Sequence, residues 1–349
     1  MVPALDSASL KATLLNAGWP DSLVSEYNEL IENEPKLPAS IILTGITKSF
    51  EGKSVLNGVN FTIAPGELFG IIGLSGAGKT TLLNILVGFL QPDAGTIFLR
   101  LPNGQDVELE KKLELVKRMV GFSAQHPSFY PKLTVRENIE HFSALYQVPL
   151  EQRRELSTML IRGVGLDGSE NVLAQNLSGG MQKRLDIACA MVHRPKILIL
   201  DEPTADLDPL IRAQLWKLIR AINSQGTTII VASHFIGELE RNCSKIAVLN
   251  HGIIADVDSV DGYRKKNGNL YEITLEPSGS RNELLEILKS HKNYERLVQR
   301  GNKVVLYTSS PKKALSELVA LSSDAGIKMK SVKLDKPSLA ELVHNLMSP

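Results

Sequence analysis

The chain has 349 residues, of which 43% are hydrophobic and 22% are charged, as in ordinary globular proteins. This length exceeds that of one ordinary domain and predicts one large domain accompanied by smaller ones. Its 39 Lys and Arg residues nearly balance its 38 Asp and Glu residues, and the net charge of +1 disfavours a protein that binds bare nucleic acid.

No secretion signal or membrane span is predicted. Met1–Leu10 lacks a charged segment followed by an apolar run, so we expect no signal peptide. No apolar stretch approaches the roughly 20 residues that a membrane helix needs. Cys189 and Cys243 have neither C-x-x-C nor zinc spacing, and we expect two buried thiols in a reducing compartment. The sequence therefore predicts a cytoplasmic chain, whose membrane spans, if it works at a membrane, belong to another chain.

The first 38 residues predict a small helical module. Two short helices are expected between about Ser7 and Glu34, and Gly18-Trp19-Pro20-Asp21 ends the first and caps the second. Pro35 and Pro38 then bracket a linker.

The central region, from Ile41 to about Val257, alternates short β-rich runs with helical patterns. Such alternation predicts an α/β fold with a mostly parallel sheet covered by helices. An Asn103-Gly104 pair between Thr96–Leu101 and Val107–Leu109 predicts one hairpin. The clearest predicted strands are Ile41–Leu43, Leu68–Ile72, Ile197–Leu200 and Ile229–Ala232.

The tail, from about Asn269 to Met347, predicts its own small domain. Its elements follow the order β-α-β-β-α-β, the plan of a ferredoxin-like α+β domain, and a further helix closes it. The predicted elements are strand Tyr271–Leu275, helix Arg281–Ser290, strands Arg296–Gln299 and Val304–Thr308, helix Lys312–Ala325, strand Met329–Leu334 and helix Ser338–Leu346.

A glycine-rich loop follows the predicted strand Leu68–Ile72 and precedes a helix that begins at Lys79 or Thr80. It fits G-x-x-x-x-G-K-[ST], the pattern of a phosphate-binding loop (P-loop), in which backbone N–H groups and a helix N-terminus surround the phosphates. Lys79 would pair with the β- and γ-phosphates, Thr80 would bind Mg²⁺, and Thr81 could donate to the α-phosphate. The loop consists of Gly73, Leu74, Ser75, Gly76, Ala77, Gly78, Lys79 and Thr80.

A second predicted helix N-terminus lies at Leu177–Met181. Ser178 is a predicted N-cap and two glycines follow it, so this end can also bind an anion. Shortly afterwards an apolar strand ends in Asp201-Glu202. Carboxylates there are suited to holding Mg²⁺ through water and to polarising a water molecule.

These motifs, in this order, resemble those of the ABC (ATP-binding cassette) ATPase family. Gly73–Thr81 resembles Walker A, Leu177–Met181 the signature, and Asp201-Glu202 Walker B with its following glutamate. Met181 departs from the commonest signature, which has glutamine there. The other matching positions are Phe50 (adenine stacking), Gln125 (Q-loop glutamine), Ala205–Asp208 (D-loop) and His234 (switch histidine).

The resemblance implies that ATP and Mg²⁺ are the cofactors and assigns residues to roles. Glu202 would act as general base, His234 would contact the γ-phosphate, and Gln125 would reach the metal and the water. The expected metal site is Thr80, Gln125 and Asp201. The expected nucleotide contacts are Phe50, Gly73, Leu74, Ser75, Gly76, Ala77, Gly78, Lys79, Thr80, Thr81, Ser178, Gly179 and Gly180.

The resemblance also implies partners. In the family's head-to-tail dimer, Ser178 of one subunit faces the γ-phosphate held by Lys79 of the other. We expect a second ATPase subunit and a separate integral-membrane permease, with this chain peripheral on the cytoplasmic face of the membrane. No nucleic-acid partner is expected.

One alternative remains open, a soluble ABC ATPase that acts on nucleic acid or ribosomes. The short interval between Lys79 and Ser178 leaves no room for the long coiled coils of the DNA-repair type, and only one cassette is present, unlike translation-type members. The closing Lys336–Val343 is similar to the ending of multidrug- and polysaccharide-type exporter ATPases, which favours export.

The predicted fold is therefore an α/β P-loop NTPase of the ABC type with a helical subdomain, a C-terminal ferredoxin-like domain and an N-terminal helical module. The expected domains are 1–38, 39–262 and 268–349. The N-terminal module either docks on the permease or the ATPase core through Trp19, or is a structural cap on the ATPase domain.

Overall fold

The computed structural model describes residues 40–100, 106–266, 271–278, 281–290, 294–324 and 328–335. The chain divides into two compact units between Val257 and Asp258. The predicted module at 1–38, the Asn103-Gly104 turn and the predicted helix Ser338–Leu346 lie outside the described residues. Within the described ranges, no helix is long and apolar enough to cross a membrane.

The strands were numbered in chain order. They are β1 (Ser40–Phe50), β2 (Lys53–Ile63), β3 (Leu68–Ile72), β4 (Ala94–Arg100), β5 (Asp106–Glu108), β6 (Val120–Ser123), β7 (Ile197–Asp201), β8 (Thr228–Ser233), β9 (Lys245–Asn250), β10 (Ile253–Ser259), β11 (Tyr271–Pro277), β12 (Arg296–Arg300), β13 (Lys303–Thr308) and β14 (Met329–Asp335).

The α-helices were numbered in the same way, and two short 3-10 turns (109–112 and 174–176) lie between them. They are α1 (Lys79–Leu86), α2 (Leu113–Met119), α3 (Val135–Leu145), α4 (Leu150–Gly163), α5 (Gly179–Met191), α6 (Pro209–Ser224), α7 (Ile236–Asn242), α8 (Val260–Lys266), α9 (Arg281–Ser290) and α10 (Pro311–Asp324).

A six-stranded sheet forms the centre of the first unit, in the order β10-β9-β3-β8-β7-β6. The pairs from β9 to β6 are all parallel, as the alternating pattern predicts. β3, β7 and β8 are buried along their whole length and consist mainly of apolar residues, because a parallel sheet is covered on both faces. This sheet confirms the predicted α/β fold.

A second, antiparallel sheet in the first unit has the order β2-β1-β4-β5. β4 and β5 pair antiparallel, as the predicted hairpin requires. β1 is longer than the predicted Ile41–Leu43 and continues to Phe50. The sequence did not predict its outer half because polar residues interrupt the apolar ones there and leave no apolar run. The rings of Phe61 and Phe69 stack at 5.3 Å, and one hydrophobic core includes residues from both sheets.

Helices α3, α4 and α5 form the helical part predicted between Thr134 and Val192. Thr134 caps α3 in a capping box, in which its side chain accepts from the Glu137 N–H and the Glu137 carboxylate accepts from the Thr134 N–H. Both cysteines are buried and unpaired, as predicted.

The second unit has a four-stranded antiparallel sheet in the order β12-β13-β11-β14. This order and the two intervening helices are those of a ferredoxin-like fold, which confirms the predicted β-α-β-β-α-β plan. α9 and α10 contribute Leu284, Leu288 and Leu318 to a core that β11 completes with Ile273 and Leu275.

Candidate functional site

The candidate site lies at the carboxyl ends of three neighbouring strands, β3, β8 and β7. Ile72 pairs with Ser233 and Asp201 with Ala232, so the three strands end at the same level. The P-loop, Asp201-Glu202 and His234 follow these ends directly. Ligands of open α/β sheets bind at this edge, because loops from neighbouring strands converge there.

The P-loop packs tightly against the rest of the fold on one side and is open on the other. Gly78 has φ +105°, and a Cβ atom there would lie 2.9 Å from Leu56 Cδ2 and 3.0 Å from the Val55 oxygen. Leu74 is exposed, and a Cβ atom on Gly76 would meet nothing within 4 Å. The loop therefore needs glycine where it passes β2, and its outer side leaves room for a ligand.

Lys79, the first residue of α1, is buried at the base of this loop. Its Nζ donates to the backbone oxygens of Gly73 at 3.0 Å and Leu74 at 3.3 Å, and lies 3.4 Å from Glu202 Oε1. The ammonium group is thus fixed beside the loop's backbone amides and the N-terminus of α1. Together these groups concentrate positive charge where a phosphate would bind.

Thr80 and Asp201 form a pair with the features of a divalent-cation site. Thr80 Oγ1 donates to Asp201 Oδ2 at 2.7 Å, whereas Asp201 Oδ1 is buried and has no hydrogen-bond partner. Burial raises the pKa of Asp201, and the Thr80 hydrogen bond opposes that rise. An unsatisfied buried carboxylate oxygen is costly, and a hard cation beside it would remove that cost. The hydroxyl and the carboxylate present therefore fit Mg²⁺.

Glu202 and His234 lie in direct contact. Glu202 is 5% exposed and its Oε2 lies 2.9 Å from His234 Nδ1, while the His234 side chain is about half exposed. The Glu202 N–H donates to the Ala232 oxygen at 2.9 Å, which ties the residue to the end of β8. This pair places a carboxylate that can accept a proton beside an imidazole that can hydrogen-bond a phosphate.

The signature end, defined here as Ser178–Gly180, begins α5 and is largely exposed. The Ser178 side chain caps the helix by accepting from the Met181 N–H, a long bond of 3.4 Å. A Cβ atom on Gly180 would lie 2.4 Å from Ile211 Cγ2, and one on Gly179 3.8 Å from Leu207 Cδ2. The atoms nearest to these two positions therefore belong to Ile211 and Leu207.

Gln125 lies on an exposed loop, here called the Q-loop (123–128), that α5 holds in place. Lys183 Nζ donates to the Gln125 oxygen at 2.6 Å and to the Ala124 oxygen at 3.2 Å. Asp186 accepts from the Ser123 hydroxyl and, at 2.8 Å, from the Ser128 N–H. Burial raises the pKa of Asp186 and lowers that of Lys183.

Lys183 and Asp186 were not predicted as site residues from the sequence. The sequence contained one signal that could have pointed to Asp186. This carboxylate interrupts an otherwise apolar run that starts at Leu185, in a helix predicted to be buried on one face. Their hydrogen bonds reach both ends and the middle of the Q-loop and so connect this loop to α5.

Phe50 ends β1 and is 45% exposed. It pairs with Lys53 across the turn to β2, and Val55 further along β2 contacts Gly78 of the P-loop. Lys48 Nζ lies 5.7 Å from the centre of its ring. An exposed ring at the end of β1, one turn away from the strand that borders the P-loop, is available for stacking on a base.

Over most of its length the chain is similar to proteins of one known family. Residues 56–205 match the family described as ABC transporter. Nod factor export ATP-binding protein I of Rhizobium sp. (strain N33) is 32% identical over 302 residues, which cover 86% of this chain and 94% of that protein.

Two solved structures have similar folds. One is a dimeric structure of a post-hydrolysis state of the ATP-binding cassette MJ0796 bound to ADP and Pi. It has a TM-score of 0.57 and 28% identity, and the match covers 63% of this chain and 98% of that one. The other is cbiO1 from Clostridium perfringens, with a TM-score of 0.59, 26% identity and coverage of 66% of this chain and 95% of that one.

Proposed function

The chain belongs to the family of ABC transporter ATP-binding proteins and is an ATPase, and from that premise we propose how its residues bind and hydrolyse ATP and what the hydrolysis drives. The observation that carries the proposal is the meeting of Lys79, Asp201, Glu202 and His234 at one sheet edge. At the signature end of the same chain, Ser178 and Gly179 are exposed.

ATP binding is proposed to use the P-loop and its neighbours. The backbone amides of Gly73–Thr81 and the N-terminus of α1 would surround the phosphates, and Phe50 would stack on the adenine. Lys79 Nζ would exchange its bonds to the Gly73 and Leu74 oxygens for bonds to the β- and γ-phosphates. Each exchange replaces a neutral acceptor with a charged one, which strengthens the hydrogen bond.

The metal proposed at Thr80, Asp201 and Gln125 is Mg²⁺, which when bound would neutralise charge on the β- and γ-phosphates. Asp201 Oδ1, buried without a partner, is the oxygen left free to accept from a water of that ion. Thr80 would turn its hydroxyl from Asp201 so that its oxygen faces the cation. Gln125 would approach from the exposed Q-loop.

Hydrolysis is proposed to depend on Glu202 and His234. Glu202 would accept the proton of the attacking water, and its buried position limits competition from bulk water. His234, fixed by its Nδ1 contact with Glu202, would present Nε2 to the γ-phosphate. Positioning and charge neutralisation account for most of the catalysis of phosphoryl transfer, and these residues supply both.

A complete site is proposed to need two chains in a head-to-tail dimer. Ser178, Gly179 and Gly180 of one subunit would contact the γ-phosphate bound to the P-loop of the other. The capped N-terminus of α5 can bind an anion, and the exposure of Ser178 leaves it accessible to a second chain. ATP would then be part of the interface, and its hydrolysis would loosen the dimer.

The work that hydrolysis drives is proposed to be export through a separate membrane permease. The relative from Rhizobium sp. (strain N33) is named for Nod factor export and matches 86% of this chain, which supports an exporter. The chain would act at the cytoplasmic face of the membrane. We propose 39–262 as the ATPase domain, 268–349 as an accessory domain and 1–38 as a further module.

Glu202→Gln tests the hydrolysis proposal most simply. The substitution keeps the shape of the side chain and removes the basic carboxylate, so turnover should fall by about 100-fold or more while ATP still binds. Because the interface then keeps its ATP, gel filtration with ATP and Mg²⁺ should show a stable dimer. Glu155→Gln, an exposed substitution on α4, is the matched control and should behave as wild type. Near wild-type turnover by the Glu202→Gln variant would remove Glu202 from the proposed mechanism.

The transport proposal is tested by expressing the chain with a candidate permease. Co-sedimentation with permease-containing vesicles, and an ATPase rate that changes on association, are expected. Binding to ribosomes, RNA or DNA, with stimulation of the ATPase and no response to vesicles, would instead favour the soluble alternative.

A further inference from the structure

A buried carboxylate outside the predicted site, Glu238 on α7, is surrounded by hydrogen-bond donors. Glu238 is 6% exposed, and its Oε2 accepts from Thr204 Oγ1 at 2.6 Å and from Trp216 Nε1 at 2.8 Å. Its Oε1 lies 3.4 Å from an Arg212 nitrogen. Burying a carboxylate is costly unless donors compensate it, so this arrangement holds its members firmly together.

Two of these donors control the segment that follows Glu202. Thr204 lies two positions beyond Glu202 in the chain and is held by Glu238. Arg212, which pairs with Glu238, also donates from Nε to the Leu207 oxygen at 2.7 Å. Glu238 and Arg212 therefore fix both ends of the stretch Thr204–Leu207, which contains most of the predicted D-loop.

The segment from Glu202 to Leu207 needs external support because its backbone is strained. Glu202 has φ +47° and Asp206 has φ +58°, both in the left-handed region that residues other than glycine rarely adopt. Such conformations persist only where the surrounding structure holds them, and they cluster at functional sites. The bonds from Thr204 and Leu207 to the Glu238–Arg212 pair supply that hold.

The same carboxylate is also connected to His234. α7, which carries Glu238, begins two residues after His234. The Arg212 guanidinium lies 4.6 Å from the centre of the Phe235 ring, and that ring lies 4.0 Å from the His234 ring. Glu238 thus stands between the two segments that bring Glu202 and His234 to within 2.9 Å of each other.

The contacts extend to the signature end of the same chain. Leu207, whose oxygen Arg212 holds, places its Cδ2 3.8 Å from the position of a Gly179 Cβ, and Ile211 lies against Gly180. The residues that Glu238 fixes are therefore connected to His234 of one proposed site through Arg212 and Phe235, and through Leu207 to the signature end that would serve the other.

We propose that Glu238 is a positioning residue for hydrolysis. It holds the backbone of Thr204–Leu207 so that Glu202 meets His234 and so that Leu207 supports the signature end. The inference rests on the proposed roles of Glu202 and His234. It assigns Glu238 a role in the geometry of Glu202 and His234 and no role in ATP binding, which the P-loop would provide.

The test compares four variants of the full chain in steady-state ATPase assays and thermal melts. Glu238→Gln keeps the size of the side chain and removes its charge, so the Arg212 pairing is lost. Thr204→Val removes one hydroxyl, and Thr204→Ser restores it. Trp216→Phe removes the indole N–H, the donor that leads away from the site, and is the matched control.

The proposal predicts a loss of kcat with little change in KM. Glu238→Gln and Thr204→Val should each lower kcat by about 10- to 100-fold, since a displacement of about 1 Å can have this effect, with the KM for ATP within about twofold of wild type. Thr204→Ser should regain most of kcat. Trp216→Phe should lower the Tm and keep kcat. The double variant Glu238→Gln/Thr204→Val should be no worse than the more damaged single variant.

Several results would overturn the inference. A lower Tm with unchanged kcat in both Glu238→Gln and Thr204→Val would show that Glu238 only stabilises the fold. Equal kcat losses in Trp216→Phe and Thr204→Val would have the same meaning. If Glu238→Gln does not fold, the Thr204 pair of variants decides alone. The Glu202→Gln variant separates the two proposals: if it is inactive while Glu238→Gln is fully active, only the positioning role fails.

Discussion

The chain presents two helix N-termini suited to anions, at α1 and at the signature end, and they differ in how complete their surroundings are. Around α1, Lys79 is buried and contacts Glu202, while Thr80 bonds Asp201. At α5, Ser178 is exposed and its capping bond is a long one of 3.4 Å. The same dipole physics acts at both ends. This difference supports the proposal that one half of the ATP site is assembled within this chain and that the other half is presented to a second chain.

The packing of the glycines differs between the two helix N-termini in the same way. Gly78 is required by close contact with β2, inside the ATPase core, and by its positive φ. Gly180 is required by close contact with Ile211 on α6, while Gly179 and Ser178 stay exposed. The P-loop therefore packs into the core of its own chain, whereas the signature end packs on α6 at Gly180 and is exposed at Ser178 and Gly179, as the proposed two-chain site requires.

The largest effects are expected from one substitution at each helix N-terminus, on ATP affinity at α1 and on turnover at the signature end. Lys79→Met removes a full charge from the phosphate site and should weaken ATP binding by the isolated subunit by about 10- to 100-fold. Ser178→Arg blocks the signature end and should leave that binding unchanged while lowering turnover by about 100-fold or more. Nucleotide titration of the monomer, followed by ATPase assays, measures both quantities. Equal losses of affinity in the two variants would contradict this division of roles, because both helix N-termini would then bind the ATP of a single chain.

A smaller effect is expected at the Q-loop, which is bonded to α5 behind the signature end. Asp186→Asn places an amide where the Ser128 N–H and the Ser123 hydroxyl donate, so the loop that carries Gln125 should shift. Turnover at saturating ATP should fall by about 3- to 10-fold and should need more Mg²⁺. Arg184→Gln is the matched control, since Arg184 lies on the same helix but bonds Val164, Gly165 and Gln214. Equal turnover in the two variants would show that α5 does not position the Q-loop.

The smallest effect on turnover at neutral pH is expected from substituting His193, which follows the C-terminal end of α5. Burial lowers the pKa of His193 to about 4, and its ring stacks on Tyr146. The unfolded chain, with a pKa near 6.5, binds more protons between these values, so stability is full above about pH 6.5 and falls as the pH drops towards 4.

This loss should amount to at most about 3 kcal/mol. Urea unfolding at pH 7 and pH 4.5 measures it, and the same experiment on His193→Gln isolates the contribution. The variant should lose less stability on acidification than wild type does. Identical pH slopes would mean that His193 does not anchor this end of α5 as a buried neutral group.

The sequence could predict those parts of the fold and site that are local. β3 was predicted at Leu68–Ile72 and has these bounds, because a short apolar run followed by a glycine-rich loop allows few alternatives. α1 begins at Lys79 and Ser178 caps α5, as predicted, since both depend on a few consecutive residues. The order of the C-terminal strands and helices along the chain followed from the same kind of local pattern.

The residues that the sequence did not predict depend on contacts between distant segments. Glu238 looks like an ordinary charged residue of a surface helix, and only the fold brings Thr204 and Trp216 to it. Asp186 likewise acquires its partners from the Q-loop. Such residues have no periodic pattern of their own, because their burial is set by tertiary packing rather than by local propensity.

Mixing two inactive variants tests whether two chains build each hydrolysis site. In a dimer of Lys79→Met with Ser178→Arg, one site joins the intact P-loop of the second chain to the intact signature end of the first. Purified Lys79→Met and Ser178→Arg chains should each be inactive alone, and an equimolar mixture should recover up to about a quarter of wild-type ATPase, because half of the dimers are mixed and each has one good site of two. No recovery in a mixture shown to contain mixed dimers would contradict the shared site.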